Sequence, residues 1–106
     1  MSPAEKIAFI QAQFAADNYE YSGHADRNLD KRGITDAEIL EAATNAQIVE
    51  DYPNDPRGAS CLIAGYSNKS RPLHILCTVT RPKMLVITLY EPDPAEFITP
   101  TQRRQQ

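Results

Sequence analysis

Residues 72–90 read PLHILCTVTRPKMLVITLY, and this stretch decides the fold class. Apolar and polar residues alternate over Pro72–Thr80 and again over Met84–Tyr90, with only residues 81–83 between the two runs. Alternation with a period of two predicts β-strands. A connection of three residues is too short for a crossover, so the two strands are predicted to be antiparallel neighbours.

The alternation also predicts how these two strands pair. With Thr80 opposite Met84, the more apolar sides of both strands coincide, whereas a slip of one residue would mix the two sides. His74 then lies opposite Tyr90 on the more polar side of the sheet. The other expected pairs are Leu76 with Thr88, Ile75 with Leu89, Cys77 with Ile87 and Val79 with Leu85.

Two further strands are predicted upstream, over Ile48–Tyr52 and Ser60–Tyr66. The same register logic places Cys61 opposite Cys77 on the apolar face, where we interpret both residues as buried thiols rather than a disulfide. A short extended segment is predicted over Tyr19–Tyr21. The sequence thus predicts an antiparallel sheet of about four strands.

About three helices are predicted ahead of the sheet, since seven of the eight prolines lie after residue 50. Helix starts and stops are marked by capping boxes at Ser2–Glu5 and Thr35–Glu38, by Ser22 as a cap, and by Gly33 and Asn45 as ends. Helices followed by an antiparallel meander indicate an α+β fold with the helices on one face. We expect one domain over residues 1–106, with a helical part (1–46), a sheet (48–91) and a C-terminal tail (92–106).

Composition narrows the class of protein. The chain has 106 residues, of which 42% are hydrophobic and 24% charged, which suits one small globular domain. No apolar run approaches the ~20 residues of a membrane span, and the first residues lack the pattern of a secretory signal. We therefore expect a cytoplasmic protein without a membrane partner. Two cysteines without ligand spacing and four scattered glycines predict no metal, no cofactor and no glycine-rich phosphate loop.

Charge is distributed unevenly along the chain. The net charge is −3, but residues 1–56 carry −7 while residues 57–90 carry +5 and no acidic residue. This asymmetry predicts a cationic surface on one half of the fold. The alternative is that these cations are solvated residues of turns and edges.

Two histidines are the strongest candidates for chemistry. The helix dipole favours the neutral imidazole for His24, in the first turn of the second helix, and a neutral imidazole can act as a base. His74, beside Tyr90 in the sheet, can donate or accept a proton. Each could instead be a hydrogen-bonded structural histidine. Arg27, Lys31 and Arg32 share the helix of His24, although Arg27 could equally pair with Asp30.

Three motifs resemble those of the bacterial family called domain of unknown function 4258. Residues 21–27 and 32–35 resemble its opening motif S-x-H-A-x-x-R…R-G-I, residues 71–75 its motif R-P-L-H-V, and residues 86–93 its closing motif I-T-x-Y-x-P-D, followed by an arginine tail. The resemblance covers residues 19–104. That family resembles in turn the barnase–EndoU–colicin–RelE group of metal-independent ribonucleases, many of them toxins.

The resemblance implies RNA cleavage without a metal ion. His24 and His74 would take the two proton-transfer roles, Arg27 and Arg32 would clamp the phosphate, and Tyr90 would position or stack the substrate. This hypothesis requires both imidazoles to face one cleft. Further contacts to RNA are expected from Lys31, Arg71, Arg103 and Arg104.

The alternative hypothesis is a non-catalytic interaction module. The charged helix and the sheet would then bind an antitoxin, another protein or a second copy of the chain. His24, Arg27 and His74 would be structural and would tie the second helix to the sheet by hydrogen bonds.

Overall fold

A computed structural model describes residues 1–93, 97–99 and 102–103, and it has three helices and two β-sheets. The helices are α1 (Pro3–Ala15), α2 (Gly23–Arg32) and α3 (Asp36–Thr44). The strands of the main sheet are β1 (Tyr19–Tyr21), β2 (Gln47–Tyr52), β3 (Ser60–Tyr66), β4 (Pro72–Thr78) and β5 (Met84–Tyr90). The predicted tail contains two short strands, β6 (Phe97–Thr99) and β7 (Gln102–Arg103), and the rest of it beyond residue 93 lies outside the described residues.

The helix ends follow local sequence. Ser2 and Thr35 form the predicted capping boxes with Glu5 and Glu38, in which each hydroxyl accepts from a backbone N–H and each carboxylate accepts in return. Gly33 ends α2 with φ 62° and ψ 37°, a left-handed conformation that glycine adopts without a Cβ penalty. None of the helices in the described part of the chain is long and apolar enough to cross a bilayer.

The main sheet has five strands in the order β1-β5-β4-β3-β2 and is mixed. Strands β2 to β5 are antiparallel as predicted, but β1 pairs with β5 in parallel, so the prediction of four antiparallel strands was incomplete. Three residues are too few for a period-two pattern, and β1 is defined by tertiary contacts instead. The hydroxyls of Tyr19 and Tyr21 both donate to Asp36 at the start of α3, which fixes this edge strand.

The helices contribute to a core on one side of the main sheet, which we call the helix face. Buried residues of all three helices share one apolar cluster with alternate residues of β3, β4 and β5. Gly65 in β3 permits the closest approach, because a Cβ there would lie 2.0 Å from the Ala42 carbonyl oxygen of α3. The side chains of β3 to β5 that point away from the helices define the opposite side, which we call the groove face. They include Leu62, Ala64, His74, Leu76, Thr88 and Tyr90.

The predicted β4–β5 register is confirmed for three pairs, namely His74–Tyr90, Ile75–Leu89 and Leu76–Thr88. Beyond these pairs the prediction was wrong. A β-bulge pairs Cys77 with Val86 rather than Ile87. Because the bulge adds one residue to β5, the side chains of the first half of the strand point to the opposite faces of the sheet from those predicted.

The physical reason for the bulge is that β5 forms hydrogen bonds both with β4 and with the segment just before α2. The Leu85 N–H donates to the Thr78 hydroxyl at 2.9 Å, and the Val86 carbonyl accepts from the Ser22 N–H at 2.9 Å. As a result Met84 and Val86 are fully buried in the helix-face core, while Leu85 is only half-buried.

Cys61 and Cys77 lie opposite each other, and both are buried free thiols as predicted. The Cys61 thiol donates to Asp51 at 3.2 Å. Burial raises the pKa of Cys61 to about 11 and also raises that of Cys77. Both thiols are therefore protonated and unreactive near neutral pH.

Candidate functional site

Two depressions on the groove face join into one groove. One, of about 420 Å³, lies beside Ser22 and His24. The other, of about 500 Å³, lies between Tyr52 and Tyr90. They share three lining residues, Arg57, Leu76 and Thr88. We call the combined depression the sheet groove, and it brings an imidazole, a guanidinium and two phenols to one surface.

His24 lies at one end of the sheet groove because the first turn of α2 is fixed against β5. The Ser22 hydroxyl accepts from the Ala25 N–H at 3.0 Å, which caps the helix, and donates to the Ile87 carbonyl at 2.6 Å, which ties it to the strand. Ala25 is completely buried beneath the same turn. The imidazole of His24 remains exposed.

Asn28, one turn after His24, connects α2 to β5 a second time. Its amide donates to the Leu89 carbonyl at 3.1 Å and lies 3.5 Å from the Thr88 hydroxyl. The same amide nitrogen lies 3.5 Å from Nε2 of His24, so it can orient the ring. Our sequence analysis missed Asn28, although the i, i+4 spacing from His24 is the signal that could have identified it.

Arg57 is the second residue that sequence analysis missed as a site residue. Its Nε and Nη2 donate to the two carboxylate oxygens of Asp55 at 3.0 and 3.1 Å. Asp55 also accepts from the Arg57 N–H at 3.0 Å and from the Ser60 hydroxyl at 2.7 Å. The hydrogen bonds from Arg57 hold the pKa of the Asp55 carboxyl well below its usual range.

This arrangement fixes the Arg57 guanidinium while leaving it accessible. The Asp55 side chain is 5% exposed, whereas that of Arg57 is 54% exposed. Among the residues described, Nη1 of Arg57 has no partner. The signal in the sequence is Asp55-Pro56-Arg57-Gly58, since aspartate followed by proline and glycine is typical of a turn in which the carboxylate binds nearby backbone N–H groups.

His74 is adjacent to Tyr90 as predicted, but it is fully buried, with 0% of its surface exposed. The two rings meet edge to face with centroids 5.4 Å apart, and Nδ1 of His74 lies 3.4 Å from the Tyr90 hydroxyl. Tyr90 is half-buried and lines the groove. The expectation that both imidazoles face one open cleft is therefore not met, because His24 is exposed there while His74 lies behind Tyr90.

The three cations of α2 are exposed, and none of them forms an ion pair within the described residues. The alternative pair of Arg27 with Asp30 is not formed. The Arg27 guanidinium instead lies over the first turn, since a Cβ added to Gly23 would be 3.4 Å from its Nη1. Arg32 ends α2, about 12 Å along the axis from His24. Arg27 thus accompanies His24, while Lys31 and Arg32 lie at the far end.

Arg71 is engaged in the fold. Its Nη2 and Nη1 donate to the carbonyls of Arg32 and Gly33 at 2.7 and 2.9 Å. It also pairs with Glu38 at 3.2 Å and with Glu91 at 2.6 Å. Arg71 thereby joins the end of α2, the start of α3 and the segment after β5, and it does not line the sheet groove.

Two further expectations concern the tail and metal binding. Arg103 belongs to β7, but its side chain and the whole of Arg104 lie outside the described part of the chain. Across that described part, no group of three or more histidine, cysteine, aspartate or glutamate side chains is arranged to hold a metal ion.

The sequence of the chain matches a known protein family. The family model described as "Domain of unknown function (DUF4258)" matches residues 21–91, about two thirds of the chain. The chain belongs to the DUF4258 family. Comparison with curated proteins and with solved structures gives no match.

Most residues that carry the DUF4258 resemblance have an evident structural role. Ser22 caps α2, Gly33 ends it, and Arg71 joins three segments. Ala25, Ile34 and Leu73 are buried in the core. His24 and Arg27 are different, because both are exposed. Within the described part of the chain, a structural role is least evident for these two DUF4258 residues.

Proposed function

We propose that this DUF4258 protein cleaves single-stranded RNA in the sheet groove without a metal ion. The observation that carries the proposal is that an exposed imidazole, His24, and a fixed guanidinium, Arg57, line the same depression. RNA supplies its own nucleophile, the 2′-hydroxyl, so its cleavage needs only proton transfer and stabilisation of the phosphate charge.

In this mechanism His24 is the base. Its ring nitrogen accepts the proton of the 2′-hydroxyl, and the 2′-oxygen attacks the adjacent phosphorus. The bond from phosphorus to the 5′-oxygen breaks, which leaves a 2′,3′-cyclic phosphate on one fragment and a 5′-hydroxyl on the other. A positioned histidine typically contributes about 10²–10⁴-fold to such a step. The role is supported by the exposure of His24 in the depression that Arg57 also lines.

Arg57 is the phosphate-binding cation in this proposal. A guanidinium matches two phosphate oxygens, and one already held in place loses little freedom on binding. The bonds to Asp55 supply that order. Arg27, folded over the first turn of α2, adds a second positive charge beside His24.

Tyr90 is the acid in this proposal, and His74 is its positioning residue. The Tyr90 hydroxyl would give its proton to the departing 5′-oxygen. Nδ1 of His74, 3.4 Å away, would orient the hydroxyl. After the products leave, solvent would return a proton to Tyr90 and take up the proton held by His24. This assignment keeps both histidines in the reaction while only His24 touches the substrate.

The family resemblance supports the proposal at the level of fold alone. Three helices packed on one face of a largely antiparallel sheet, with a groove on the other face, are compatible with a relation to the barnase–EndoU–colicin–RelE group. By the same resemblance the protein would be a cytoplasmic bacterial toxin whose protein partner is an antitoxin.

The test uses the purified full chain, a fluorescently labelled single-stranded RNA and a chelator. His24→Ala should lower the cleavage rate at least about 100-fold. Arg57→Ala should lower it about 10²–10³-fold, by analogy with the loss of one donor to a developing oxyanion. The product should carry a cyclic phosphate.

Matched controls separate a local from a general effect. Asp30→Asn lies on the exposed side of α2, and Arg81→Ala removes an exposed cation that does not line the groove. Both should retain the rate of the unmodified protein. A folded protein that cleaves no RNA, or one whose cleavage survives His24→Ala at full rate, would contradict the proposal.

A second candidate function is a non-catalytic module that binds another protein in the sheet groove. It is favoured by the apolar character of much of the lining and by the net charge of −3. The apolar lining residues include Pro53, Pro56, Leu62, Leu76 and Leu85. Its occupant would be an antitoxin segment or a second copy of the chain. Absence of cleavage together with a concentration-dependent dimer that Leu76→Lys disrupts would favour this function.

A further inference from the structure

We propose that one side of α2 binds the phosphate backbone of the RNA where the strand leaves the sheet groove, an inference that rests on the proposed function. The side begins at His24, which lines the groove, and continues through Arg27 and Lys31. We call Arg27 and Lys31 the phosphate track. They would hold the part of the RNA that lies outside the groove.

The helical period places the phosphate track in line with His24. At about 100° per residue, Lys31 lies about 20° and Arg27 about 60° from His24 around the helix axis, in the same direction. Asp30 and Asp26 lie further round, at about 120° and 160°. The cations and the acids alternate in the sequence but are therefore separated on the helix surface, with the acids farthest from His24.

The position of α2 leads the track away from the groove. Hydrogen bonds from Ser22 and Asn28 to carbonyls of β5 fix the helix along that strand, beyond the three residues that pair with β1. His24 is then at the groove, and Lys31 is about 10.5 Å farther along the helix axis. An RNA strand with its reacting phosphate at His24 can thus continue along the cationic side of α2.

The charges of the track are available to a ligand. Arg27 and Lys31 are exposed, and neither forms an ion pair with a residue that the structure describes. Asp30 is three residues after Arg27, yet the guanidinium lies over the first turn instead. Four other described cations each have a carboxylate within 4.0 Å, namely Lys6, Arg57, Arg71 and Lys83. Binding of a phosphate to the track therefore breaks no ion pair of the protein.

A structural role accounts for only part of this arrangement. The negative end of the helix dipole favours a lysine in the last turn of α2, whichever side of the helix it takes. It does not account for Arg27, which is not in the last turn, or for the alignment of both cations with His24. A polyanion that lies along the helix explains the alignment.

Two properties of the substrate follow. Nucleotides of a stacked strand rise by about 3.4 Å, so the distance from His24 to Lys31 spans about three nucleotides. RNA that extends this far from the scissile bond should bind more tightly than a dinucleotide. Phosphate contacts carry no sequence information, so the track should add affinity without base preference.

The test measures binding of a fluorescently labelled 2′-O-methyl RNA of about ten nucleotides to the full chain by fluorescence anisotropy, over about 50–200 mM NaCl. The 2′-O-methyl groups block the nucleophile, so the RNA is bound and not cleaved. For a single strand, the logarithm of the association constant falls with the logarithm of the salt concentration, by about 0.7 per phosphate neutralised. Arg27→Ala and Lys31→Ala should each reduce this slope by about 0.7, and the double variant by about 1.4.

Two controls separate the track from a general loss of charge. Lys69→Ala removes an exposed cation from the loop between β3 and β4, away from α2, and should leave the slope unchanged. Arg27→Lys keeps the charge and should also retain it. Alanine favours a helix at both track positions, so the variants should fold. An unchanged slope in the double variant, an equal reduction in Lys69→Ala, or no binding by the unmodified protein would overturn the inference.

The two proposals fail separately. A slope that depends on Arg27 and Lys31, in a protein that cleaves no RNA, would remove the nuclease proposal and retain the phosphate track. Cleavage that depends on His24, with an unchanged slope in the double variant, would retain the nuclease proposal and remove the track.

Discussion

The two faces of the main sheet are built from the same strands but differ in chemistry. On β4, Ile75 points to the helix face and is 1% exposed, whereas its neighbour Leu76 points to the groove face and is half-buried. The helix face is closed by apolar side chains from all three helices. The groove face carries His74, Thr88 and Tyr90 and opens into the sheet groove. The difference indicates that the helix face stabilises the fold, while the groove face carries the polar side chains and the depressions.

Two arginines show a similar contrast, since one is engaged in the fold and the other is accessible. Arg71 donates to two backbone carbonyls and pairs with two carboxylates that belong to different segments. Arg57 pairs with a carboxylate only two residues away and is otherwise accessible. Arg71 therefore contributes to tertiary structure, while the local pair of Arg57 contributes mainly to the shape of one loop.

The largest effect on the free energy of unfolding is expected at Gly65, on the helix face. In Gly65→Ala the new Cβ would lie 2.0 Å from the Ala42 carbonyl oxygen, so α3 would have to move away from the sheet. We expect a loss of at least about 4 kcal/mol in the free energy of unfolding, or no folded protein. Urea unfolding followed by circular dichroism measures it.

Gly23→Ala is the control for that variant. Its Cβ would meet only the end of the flexible Arg27 side chain, at 3.4 Å. We expect a change below about 0.5 kcal/mol. Comparable losses in the two variants would show that the effect comes from the loss of glycine itself and not from close packing of α3.

Ile75→Ala and Leu76→Ala compare the two faces directly, because the two residues are adjacent on one strand. Ile75→Ala should lower the free energy of unfolding by about 3 kcal/mol, since it leaves a cavity in a closed core. Leu76→Ala should cost about 1 kcal/mol, because its site is already open to solvent. Thermal unfolding of both variants tests the contrast, and equal losses would mean that the groove face is as closely packed as the helix face.

Much of the fold was predictable because its signals are local. Capping boxes at Ser2 and Thr35, and glycine at position 33, marked the helix ends. The period-two alternation identified the four antiparallel strands. The extended conformation of Tyr19–Tyr21 was predicted, but its parallel pairing with β5 and the bulge opposite Cys77 were not. Both depend on how residues 18–22 bond to β5, far away in sequence.

The site was predictable only in part, for a related reason. His24 and Tyr90 were identified by residue type and motif, and both line the groove. The burial of His74 could not be read from its strand, because alternation shows which face a side chain takes and not what lies over it. Arg57 was counted as one of several cations, although its position depends on Asp55, a turn residue with a recognisable local pattern.

The smallest effect on the free energy of unfolding is expected at Asp55, in the loop that holds Arg57 at the groove. The pKa of Asp55 in the folded protein lies below its value in the unfolded chain, which is about 3.9. A depressed carboxyl pKa stabilises the folded state above about pH 4, and that contribution is lost as the pH falls below it. Asp55→Asn should therefore cost about 1 kcal/mol near pH 7, and the difference from the unmodified protein should shrink toward about pH 3. Urea unfolding across this range measures the difference, and a gap that is constant with pH would mean that the carboxylate charge of Asp55 does not stabilise the loop.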